Sequence, residues 1–350
     1  MKKIIIANTQ VPFIYGGAEY LADRLRTKIC EYGHQAEIIK IPFKWYPPER
    51  IPQHILASRL VDITQASGEE IDLLIGLKFP AYYIKHPNKV LWVLHQFRQV
   101  YDLWGTEYQE IPSTPEGQKI KEIIIQSDNT FLREAKKIYT NSKIVAKRLK
   151  DFNKIDAIPL YPPLDDSDKF YCETFEDYIF YPSRVNAIKR QALTIESMLH
   201  VKSQVKLIIA GKGDNESYIN HLKKLVKKNN LKEKVRLIGE ISQEDKFKYF
   251  ANALGCIYIP YNEDSYGYVT LESFYSKKPV ITCTDSGGTL EMVEDGINGF
   301  IIPPEPKAIA RAIDDLYSNK EKTKKLGITG YDKVLSLNIT WENVIRSLIG

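Results

Sequence analysis

Cysteine is scarce in this chain, and long apolar runs are absent. The 350 residues include 4 cysteines, which are scattered and form no C-x2-C pair. Such spacing favours neither a zinc site nor a disulfide framework and is typical of a protein from a reducing compartment. No run approaches the ~20 apolar residues that a membrane-spanning helix needs. We therefore expect a cytoplasmic protein without a transmembrane helix.

Several catalytic motifs are also missing. The sequence contains no Gly-x-Ser-x-Gly, no Gly-x4-Gly-Lys-Ser/Thr and no His-Glu-x-x-His. Their absence disfavours hydrolases with a nucleophile elbow, phosphate-loop ATPases and zinc proteases. The formal net charge of +5 is too small to predict nucleic acid as a partner, because a nucleic-acid binder usually concentrates its basic residues on one face.

Short apolar runs alternate with helical patterns in both halves of the chain. The runs lie at 3–7, 36–41, 71–75, 90–94 and 138–141, and again at 178–181, 205–210, 235–239, 255–260 and 279–283. This alternation predicts an α/β protein with two doubly wound, mainly parallel sheets. Prolines and acidic residues between positions 157 and 166 interrupt the pattern and indicate an interdomain linker.

The linker divides the chain into parts. Residues 1–164 are predicted to form a first Rossmann-like domain, residues 165–335 a second, and residues 336–350 an amphipathic C-terminal helix. Two domains agree with the length, because single cores rarely grow beyond about 250 to 300 residues. Ligands of doubly wound sheets bind outside the carboxyl ends of the strands. We therefore expect the binding site in the cleft between two domains.

Two carboxylates eight positions apart, Asp264 and Glu272, flank a glycine that follows an apolar run. The run predicts a buried strand and the residues from Tyr268 onward predict a helix, so Gly267 lies where the first helix amides have no partner within the helix. A helix N-terminus attracts anions, and glycine lets the backbone approach a phosphate or a sugar ring. Carboxylates accept hydrogen bonds from vicinal hydroxyls. The segment therefore predicts a sugar-nucleotide site.

Two cations follow the first apolar run of the second half. Arg184 and Lys189 are expected at the carboxyl end of that strand. Arginine presents a planar fork to two phosphate oxygens, and lysine presents a mobile point charge. Together they can neutralise the negative charge that a departing nucleoside diphosphate gains. The pair predicts a diphosphate-binding site, and the alternative interpretation is that both are surface residues at a helix start.

Two strand ends in the first half carry further candidates. Gly16 and Gly17 join the first strand to a helix, and without side chains their amides can approach a diphosphate. His95 directly follows a buried strand, at the edge where catalytic groups gather. Each of these residues also has a structural interpretation, because any such turn can use glycine and a single histidine is more often structural than catalytic.

In their order along the chain, these motifs resemble the family 4 retaining glycosyltransferases, which have the GT-B architecture of two facing Rossmann-like domains. The segment from Asp264 to Glu272 resembles the family's pair of acidic residues separated by seven positions. Two positions depart from the family pattern. Asp264 stands where glutamate is usual, so Glu263 is the alternative first acid, and Ser183 replaces a glycine.

The resemblance implies an enzyme that moves a sugar from a nucleoside diphosphate, UDP or GDP, to a hydroxyl acceptor with retention of configuration. It implies that neither a metal ion nor a cofactor takes part, in line with the absence of an Asp-x-Asp pair directly after a strand. The residues that it implies are Gly16, Gly17, Arg184, Lys189, Tyr266, Gly267, Tyr268, Val269 and Glu272 for the donor, His95 and Asp264 with Arg184 and Lys189 for catalysis, and Arg98 and Tyr101 for the acceptor side.

Two other functions share this pattern. A nucleotide-sugar epimerase can use the same scaffold and the same diphosphate contacts without an acceptor. A catalytically silent nucleotide-sugar-binding subunit is suggested by the aspartate at the first acidic position. Turnover of the donor alone would favour the epimerase, and binding without turnover would favour the silent subunit.

Basic residues are concentrated between Phe131 and Lys154. Lysines and arginines occupy positions 133, 136, 137, 143, 147, 148, 150 and 154, against acids at 134 and 151 only. The stretch is interpreted either as a solvated helix face or as a dock on anionic lipid. The resemblance implies a glycan or lipid-linked acceptor, as in surface-polysaccharide synthesis. If the basic stretch is a lipid dock, it predicts peripheral contact with the inner face of the plasma membrane.

Overall fold

The computed structural model describes residues 1–263 and 265–350. The chain divides into two compact units. Unit 1 comprises Met1–Pro163 and Ile339–Gly350, and unit 2 comprises Leu164–Asn338. The first boundary lies inside the proline- and acid-rich stretch that interrupts the sequence pattern.

Strands and helices alternate through both units. In residues 1–163 the strands are β1 (Lys3–Gln10), β2 (Gln35–Pro42), β3 (Gln65–Ala66), β4 (Glu69–Glu70), β5 (Leu73–Gly76), β6 (Lys89–Val93), β7 (Lys137–Thr140) and β8 (Ile158–Pro159), and the helices are α1 (Gly17–Glu31), α2 (Ile51–Leu60), α3 (Pro115–Phe131) and α4 (Lys143–Asn153). From residue 164 onward the strands are β9 (Tyr178–Pro182), β10 (Lys206–Ala210), β11 (Val235–Gly239), β12 (Gly255–Ile257), β13 (Val280–Cys283) and β14 (Gly299–Ile302), and the helices are α5 (Gln191–Ser197), α6 (Glu216–Lys228), α7 (Gln243–Asn252), α8 (Tyr268–Tyr275), α9 (Pro306–Ser318), α10 (Lys320–Ser336) and α11 (Trp341–Ile349).

The main sheet of unit 1 is parallel, with the strand order β2-β1-β5-β6-β7-β8. Ile4 and Ile6 alternate along β1 and belong to the same core cluster as Leu21 and Leu25 of α1. Strands β5 and β6 are buried along their whole length, as expected when helices cover both faces of a sheet. The winding direction reverses between β1 and β5, the point where ligands bind in such sheets.

Helix α11 packs into the core of unit 1. Its apolar stripe joins the cluster of β1 and α1 through Val344, Ile345, Leu348 and Ile349. The Thr340 side chain accepts a hydrogen bond from the Asn343 amide and begins the helix, and the Lys2 Nζ donates to the Ile349 carbonyl at 2.6 Å. Burial of an amphipathic stripe therefore attaches the end of the chain to its beginning.

The sheet of unit 2 is also parallel, with the order β11-β10-β9-β12-β13-β14. The chain starts in the centre at β9, winds outward through β10 and β11, and returns to the other side of β9 as β12. The direction therefore reverses between β9 and β12. The predicted α/β class with two doubly wound sheets is confirmed.

The sequence pattern missed several short elements. Strands β3 and β4 form a separate antiparallel hairpin, β8 holds two residues inside the predicted linker, and β14 holds four. Segments this short show no readable periodicity, because a period of two needs several residues. Within the described part of the chain, no helix is both long and apolar enough to cross a membrane.

Candidate functional site

Loops from four neighbouring strands meet at the carboxyl edge of the unit 2 sheet. The loop after β9 holds residues 183–190, and the loop after β12 holds residues 258–267. On one side, Val185 pairs with Gly213 of the loop after β10, and on the other, Glu263 pairs with Gly287 of the loop after β13. The reversal between β9 and β12 therefore brings the predicted cations and the predicted acidic segment to one edge.

Close packing of the loops after β9 and β10 requires glycine at position 211. Gly211 has φ +144°, and a Cβ atom there would lie 1.9 Å from the Ser183 carbonyl oxygen. A side chain at this position would push the two loops apart. Gly211 therefore fixes the backbone from which Arg184 extends.

Lys189 forms an ion pair with Glu263. The Lys189 Nζ donates to the Glu263 carboxylate and, at 2.8 Å, to the Tyr258 hydroxyl, which itself donates to Glu263 Oε2 at 2.9 Å. The side chains of Lys189 and Glu263 are 13% and 15% exposed, so solvent screens the pair only partly. An ammonium group has three donors. Lys189 can therefore hold the loop after β12 and still contact a phosphate oxygen.

Arg184 extends from the same loop into solvent. Its side chain is 47% exposed, and its Nη1 lies 3.6 Å from Asp214 Oδ1. Burial raises the pKa of the Tyr258 hydroxyl well above its ordinary value, the Glu263 carboxylate raises it further, and Arg184 lowers it. Arg184 therefore lies within electrostatic range of the Lys189–Glu263 pair. Its exposed guanidinium, with one long ionic contact, can turn toward a bound phosphate.

Gly267 caps helix α8 against the ring of Tyr258. Its φ is +69°, and a Cβ atom would lie 2.3 Å from Tyr258 Cε1. The Gly267 amide donates to Ser265 Oγ at 3.2 Å. The positive end of α8 therefore lies at the same edge as Lys189, and glycine is required there both by its backbone conformation and by the ring.

The other residues predicted around this turn have different environments. Tyr266 is buried, whereas Tyr268 and Val269 are half-buried at the first turn of α8. Asp264, the predicted first acid, lies outside the described residues. Glu263, its alternative, is the acid that contacts Lys189.

Glu272 lies on the second turn of α8 and is buried. Its Oε1 accepts a hydrogen bond from Lys246 Nζ of α7 at 2.6 Å. Sequence reasoning missed Lys246, because nothing in its local pattern separates it from the other lysines of an amphipathic helix. The predicted donor-binding carboxylate therefore has a cationic partner in its buried position.

Arg190 is a second residue that the sequence did not single out. Its guanidinium forms a bidentate contact with Asp285 at 2.7 and 2.8 Å, and it also donates to the carbonyls of Ile259 and Pro260. Burial works to lower the pKa of Arg190, but Asp285 outweighs this and raises it. Arg190 therefore links the loops after β9, β12 and β13 and supports the edge that carries Lys189.

In unit 1, Gly16 and Gly17 lie at the start of α1. The Gly16 amide donates to Glu19 Oε2 at 2.9 Å, and the buried Glu19 also lies 3.6 Å from Lys78 Nζ. Glu19 thus caps the helix to which it belongs. In this structure the Gly16 amide is bonded to Glu19, which differs from the predicted approach of that amide to a diphosphate.

His95 lies two residues beyond β6 and is half-buried. Its Nδ1 is 2.7 Å from the carbonyl oxygen of Gln96. The structure thus places His95 at the predicted strand end, with one ring nitrogen held by the backbone.

The two residues predicted for the acceptor side form hydrogen bonds with carboxylates of unit 1. Arg98 donates twice to Asp102 Oδ2, at 2.9 and 2.7 Å. Tyr101 is 5% exposed, and its hydroxyl donates to the buried Asp128 at 2.6 Å. The acceptor-side interpretation of Tyr101 is therefore corrected: its hydroxyl satisfies a buried carboxylate, and so little of its surface is exposed that Tyr101 is a core residue.

The basic stretch is not one cationic surface. Arg148 is buried beside Asp102, and Arg133 donates to main-chain carbonyls at the end of α4. Lys147 and Lys150 form ion pairs with the exposed Asp151 and Asp156. Pairing and burial therefore remove much of the local charge that the sequence suggested.

Two further features lie outside this edge. Among residues 1–263 and 265–350, no group of three or more His, Cys, Asp or Glu is placed to hold a metal ion. A groove of about 980 Å³ in unit 2 is lined by the amino ends of β9 and β10, by β11 and the loop after it, and by α7. None of the described residues predicted for the site lines this groove. The groove therefore does not define the candidate site.

Unit 2 contains a segment that matches a known protein family. Residues 169–333 match the family model described as glycosyl transferases group 1. The match covers 165 of the 350 residues of the chain. The match contains Arg184, Lys189, Gly267 and Glu272, so the edge described above lies entirely inside it. The expected resemblance is confirmed at this level, and the narrower assignment to family 4 stays a prediction.

Curated relatives agree with the family. The chain is 27% identical over 224 residues to the human alpha-1,3/1,6-mannosyltransferase ALG2, a match that covers 56% of this chain and 53% of that protein. It is 28% identical over 213 residues to an uncharacterised glycosyltransferase of Methanocaldococcus jannaschii, covering 61% and 58%. The chain thus spans about half the length of the curated relatives it matches.

Solved structures show the fold over the whole chain. Sucrose-phosphate synthase from Thermosynechococcus elongatus superposes with a TM-score of 0.78 at 17% identity, covering 99% of this chain and 97% of that one. The Anabaena protein HepE in complex with UDP and glucose gives 0.70 at 17% identity, covering 99% and 100%. The fold is the GT-B fold that the sequence predicts.

Proposed function

We propose that this chain is a glycosyltransferase that moves a sugar from a nucleoside diphosphate to a hydroxyl acceptor. The observation that carries the proposal is the meeting of Arg184, Lys189, Glu263 and the N-terminus of α8 at one sheet edge inside the group 1 segment. Two cations and a helix dipole suit a diphosphate, and a carboxylate suits sugar hydroxyls.

The roles of the residues follow from their charges. Arg184 and Lys189 neutralise the charge that develops on the leaving diphosphate, the largest electrostatic demand of the reaction. Glu272 accepts hydrogen bonds from the ribose, and residues 264 and 266–269 contact the donor sugar, with Glu263 as the alternative first acid. His95 contacts the donor sugar near the reacting carbon. The leaving phosphate takes the acceptor proton on the same face, which gives retention without a metal ion.

The donor and the acceptor are proposed from the relatives. HepE is described in complex with UDP and glucose, and ALG2 is named as a mannosyltransferase. Other matched proteins include an O-antigen chain mannosyltransferase of Escherichia coli. We therefore expect a UDP- or GDP-hexose as donor and a glycan or lipid-linked glycan as acceptor.

Peripheral membrane contact is a separate part of the proposal. Lys136, Lys137, Lys143 and Lys154 of the basic stretch are exposed and are the basis for attraction to anionic lipid, at about 1 kcal/mol for each basic residue near the surface. Flotation with vesicles that contain anionic phospholipid, compared with vesicles of zwitterionic lipid only, tests this contact. If the protein floats equally with both kinds of vesicle, the proposed contact with anionic lipid is wrong.

The first experiment is a thermal-shift panel of UDP, GDP, ADP and their sugar conjugates, each with EDTA and with magnesium. A ligand at 100 times its Kd stabilises the folded state by about 2.7 kcal/mol. We expect one base to raise the midpoint in EDTA, and the Lys189→Met variant to lose most of that shift. If no nucleotide shifts the midpoint in either condition, the donor site is wrong.

Product analysis then separates the alternatives. NMR of the product should show the anomeric configuration of the donor, and an inverted product would contradict retention. Isomerisation of the donor without an acceptor would instead identify an epimerase. Binding of the nucleotide with an intact glycosyl bond, across lipid-linked and glycan acceptors, would identify a silent subunit.

A further inference from the structure

We infer that Gln96, Asn153 and Tyr101 form a positioning relay that holds the His95 ring in the tautomer with its proton on Nδ1. The inference rests on the proposed function only for the substrate contact of His95. The relay itself is a set of hydrogen bonds within unit 1, and the structure supplies each of its links.

The first link determines the tautomer. His95 Nδ1 lies 2.7 Å from the Gln96 carbonyl oxygen. A carbonyl oxygen can only accept a hydrogen bond, so Nδ1 must carry the proton. In a neutral imidazole the other nitrogen, Nε2, is then an acceptor. A substrate group that binds Nε2 of His95 must therefore be a donor, such as a sugar hydroxyl.

The second link fixes the Gln96 residue. Its side chain is 3% exposed, and its Nε2 donates to Asn153 Oδ1 at the end of α4. The next residue, Phe97, stacks on Phe79 with ring centroids 5.0 Å apart. Both residues that flank the Gln96 carbonyl group are thus anchored, so the carbonyl has one orientation toward the ring of His95.

The third link fixes the orientation of the Asn153 amide. Asn153 Nδ2 donates to Asn129 Oδ1 at 2.8 Å and to the Tyr101 hydroxyl at 3.2 Å. The Tyr101 hydroxyl cannot donate back to Asn153, because it gives its proton to Asp128 Oδ2 at 2.6 Å. Asn153 Oδ1 is therefore left to accept from Gln96, and the amide has no equivalent flipped state.

The buried charge at the end of the relay gives it direction. Asp128 is fully buried on α3. When it is ionised, its carboxylate can accept hydrogen bonds but cannot donate one. Each donor along the path from Gln96 through Asn153 and Tyr101 then points toward Asp128. Hydrogen bonds in such a chain strengthen one another in a low-dielectric interior. The relay therefore fixes the loop after β6, which has little regular structure of its own.

Labelling the full chain with ¹⁵N-histidine tests the relay directly. The chain has 6 histidines, and the His95→Gln variant assigns the signals of His95 by their loss. In the wild type we expect His95 to be protonated mainly on Nδ1. In the Gln96→Met and Tyr101→Phe variants we expect the protonated share at Nδ1 to fall and the share at Nε2 to become the larger.

Tyr83→Phe is the matched control. The Tyr83 hydroxyl donates to the same carboxylate, but to Oδ1 at 2.7 Å, and this bond lies outside the path to Gln96. Tyr83→Phe should lower the midpoint of unfolding about as much as Tyr101→Phe and leave the His95 signals unchanged. A purely structural role for Tyr101 would make the two variants alike in both measurements.

Three outcomes decide the inference. A wild-type His95 that is protonated mainly on Nε2 would overturn it, even if every variant failed to fold. Unchanged His95 signals in both folded relay variants would overturn it as well. If the signals shift as expected while the wild type transfers no sugar from any donor, the relay is supported and the proposed function fails. With an active wild type, Gln96→Met should lower kcat about tenfold at unchanged nucleotide affinity.

Discussion

Lys189 and Glu263, 74 positions apart in the sequence, form an ion pair beside the hydroxyl of Tyr258. The pair exists because β9 and β12 are neighbours in the sheet although they are far apart in the chain. It joins the loop that carries the proposed diphosphate cations to the loop that carries the acidic segment. Lys189 therefore has a structural role and a proposed catalytic role, and mutations can separate these two roles.

Lys189→Met should destabilise the protein by about 3 kcal/mol, because it leaves a largely buried carboxylate without its cation. The double variant Lys189→Met, Glu263→Gln should recover most of this loss in urea unfolding. Both variants lack the ammonium group of Lys189. In each of them we therefore expect the turnover of sugar transfer to fall by about 10²-fold or more. Additive stability changes would argue against the pair, and a double variant with normal turnover would argue against the catalytic role.

Glu272→Gln should weaken the binding of the nucleoside diphosphate about tenfold, or about 1.4 kcal/mol, if its carboxylate accepts hydrogen bonds from the ribose hydroxyls. The nucleotide that lacks both ribose hydroxyls provides the control. Calorimetry should give the same affinity of this analogue for the wild type and for Glu272→Gln. A tenfold difference with the analogue as well would place the effect of Glu272 elsewhere, for example in its ion pair with Lys246.

Gly267→Ala should be more harmful than an equivalent change at Gly296. Both glycines have nearly the same positive φ, +69° and +70°, so each alanine meets about 1 to 2 kcal/mol of backbone strain. At position 267 the new methyl group would also collide with the ring of Tyr258, whereas at 296 no described atom lies within 4 Å. Urea unfolding should show at least about 1 kcal/mol more destabilisation for Gly267→Ala. Equal losses would show that the ring moves aside freely.

Asp128→Asn should change how stability depends on pH. Burial raises the pKa of Asp128 from 3.8 to about 6, against the opposing effect of the hydroxyls of Tyr101, Tyr83 and Tyr82. Since the folded-state pKa is raised, the contribution of Asp128 to stability is fully present below pH 3.8 and is lost as the pH rises through about 6. Relative to Asp128→Asn, the wild type should therefore lose about 3 kcal/mol between these limits.

Asp177→Asn is the control for this measurement, because the sign is opposite. A hydrogen bond from Lys320 lowers the pKa of Asp177, so its contribution to stability is present at neutral pH and is lost as the pH falls. Denaturant unfolding of the three proteins across the acid range measures both effects. Parallel curves for the wild type and Asp128→Asn would contradict a raised pKa for Asp128.

Much of the fold could be predicted from the sequence. Apolar runs, helical periodicity and a proline-rich interruption predicted an α/β chain with two doubly wound sheets, and the structure has both sheets. These signals are local, since they arise within a strand or within a few helical turns. Gly267 was likewise predicted at a helix start, because turn chemistry depends on a few consecutive residues. Arg184 and Lys189 were predicted at a strand end for the same reason.

The partners of these residues could not be predicted. Lys246 lies 26 positions from Glu272, and Asp285 lies 95 positions from Arg190. Such contacts depend on which strands become neighbours and on which helix faces them. Tyr101 shows the reverse error: the family resemblance implied a contact with the acceptor, but its hydroxyl donates to a buried carboxylate of α3.

The sequence by itself determined most of the strands, the helices, the glycine turns and the strand ends that carry the candidate cations. Only the tertiary structure decided that Lys189 faces Glu263, that Glu272 faces Lys246 and that Tyr101 is a core residue. The physical reason is one of range. Backbone conformation responds to neighbours within a few residues, whereas the pairing of charges and the burial of hydroxyls are decided when the order of strands brings distant segments together.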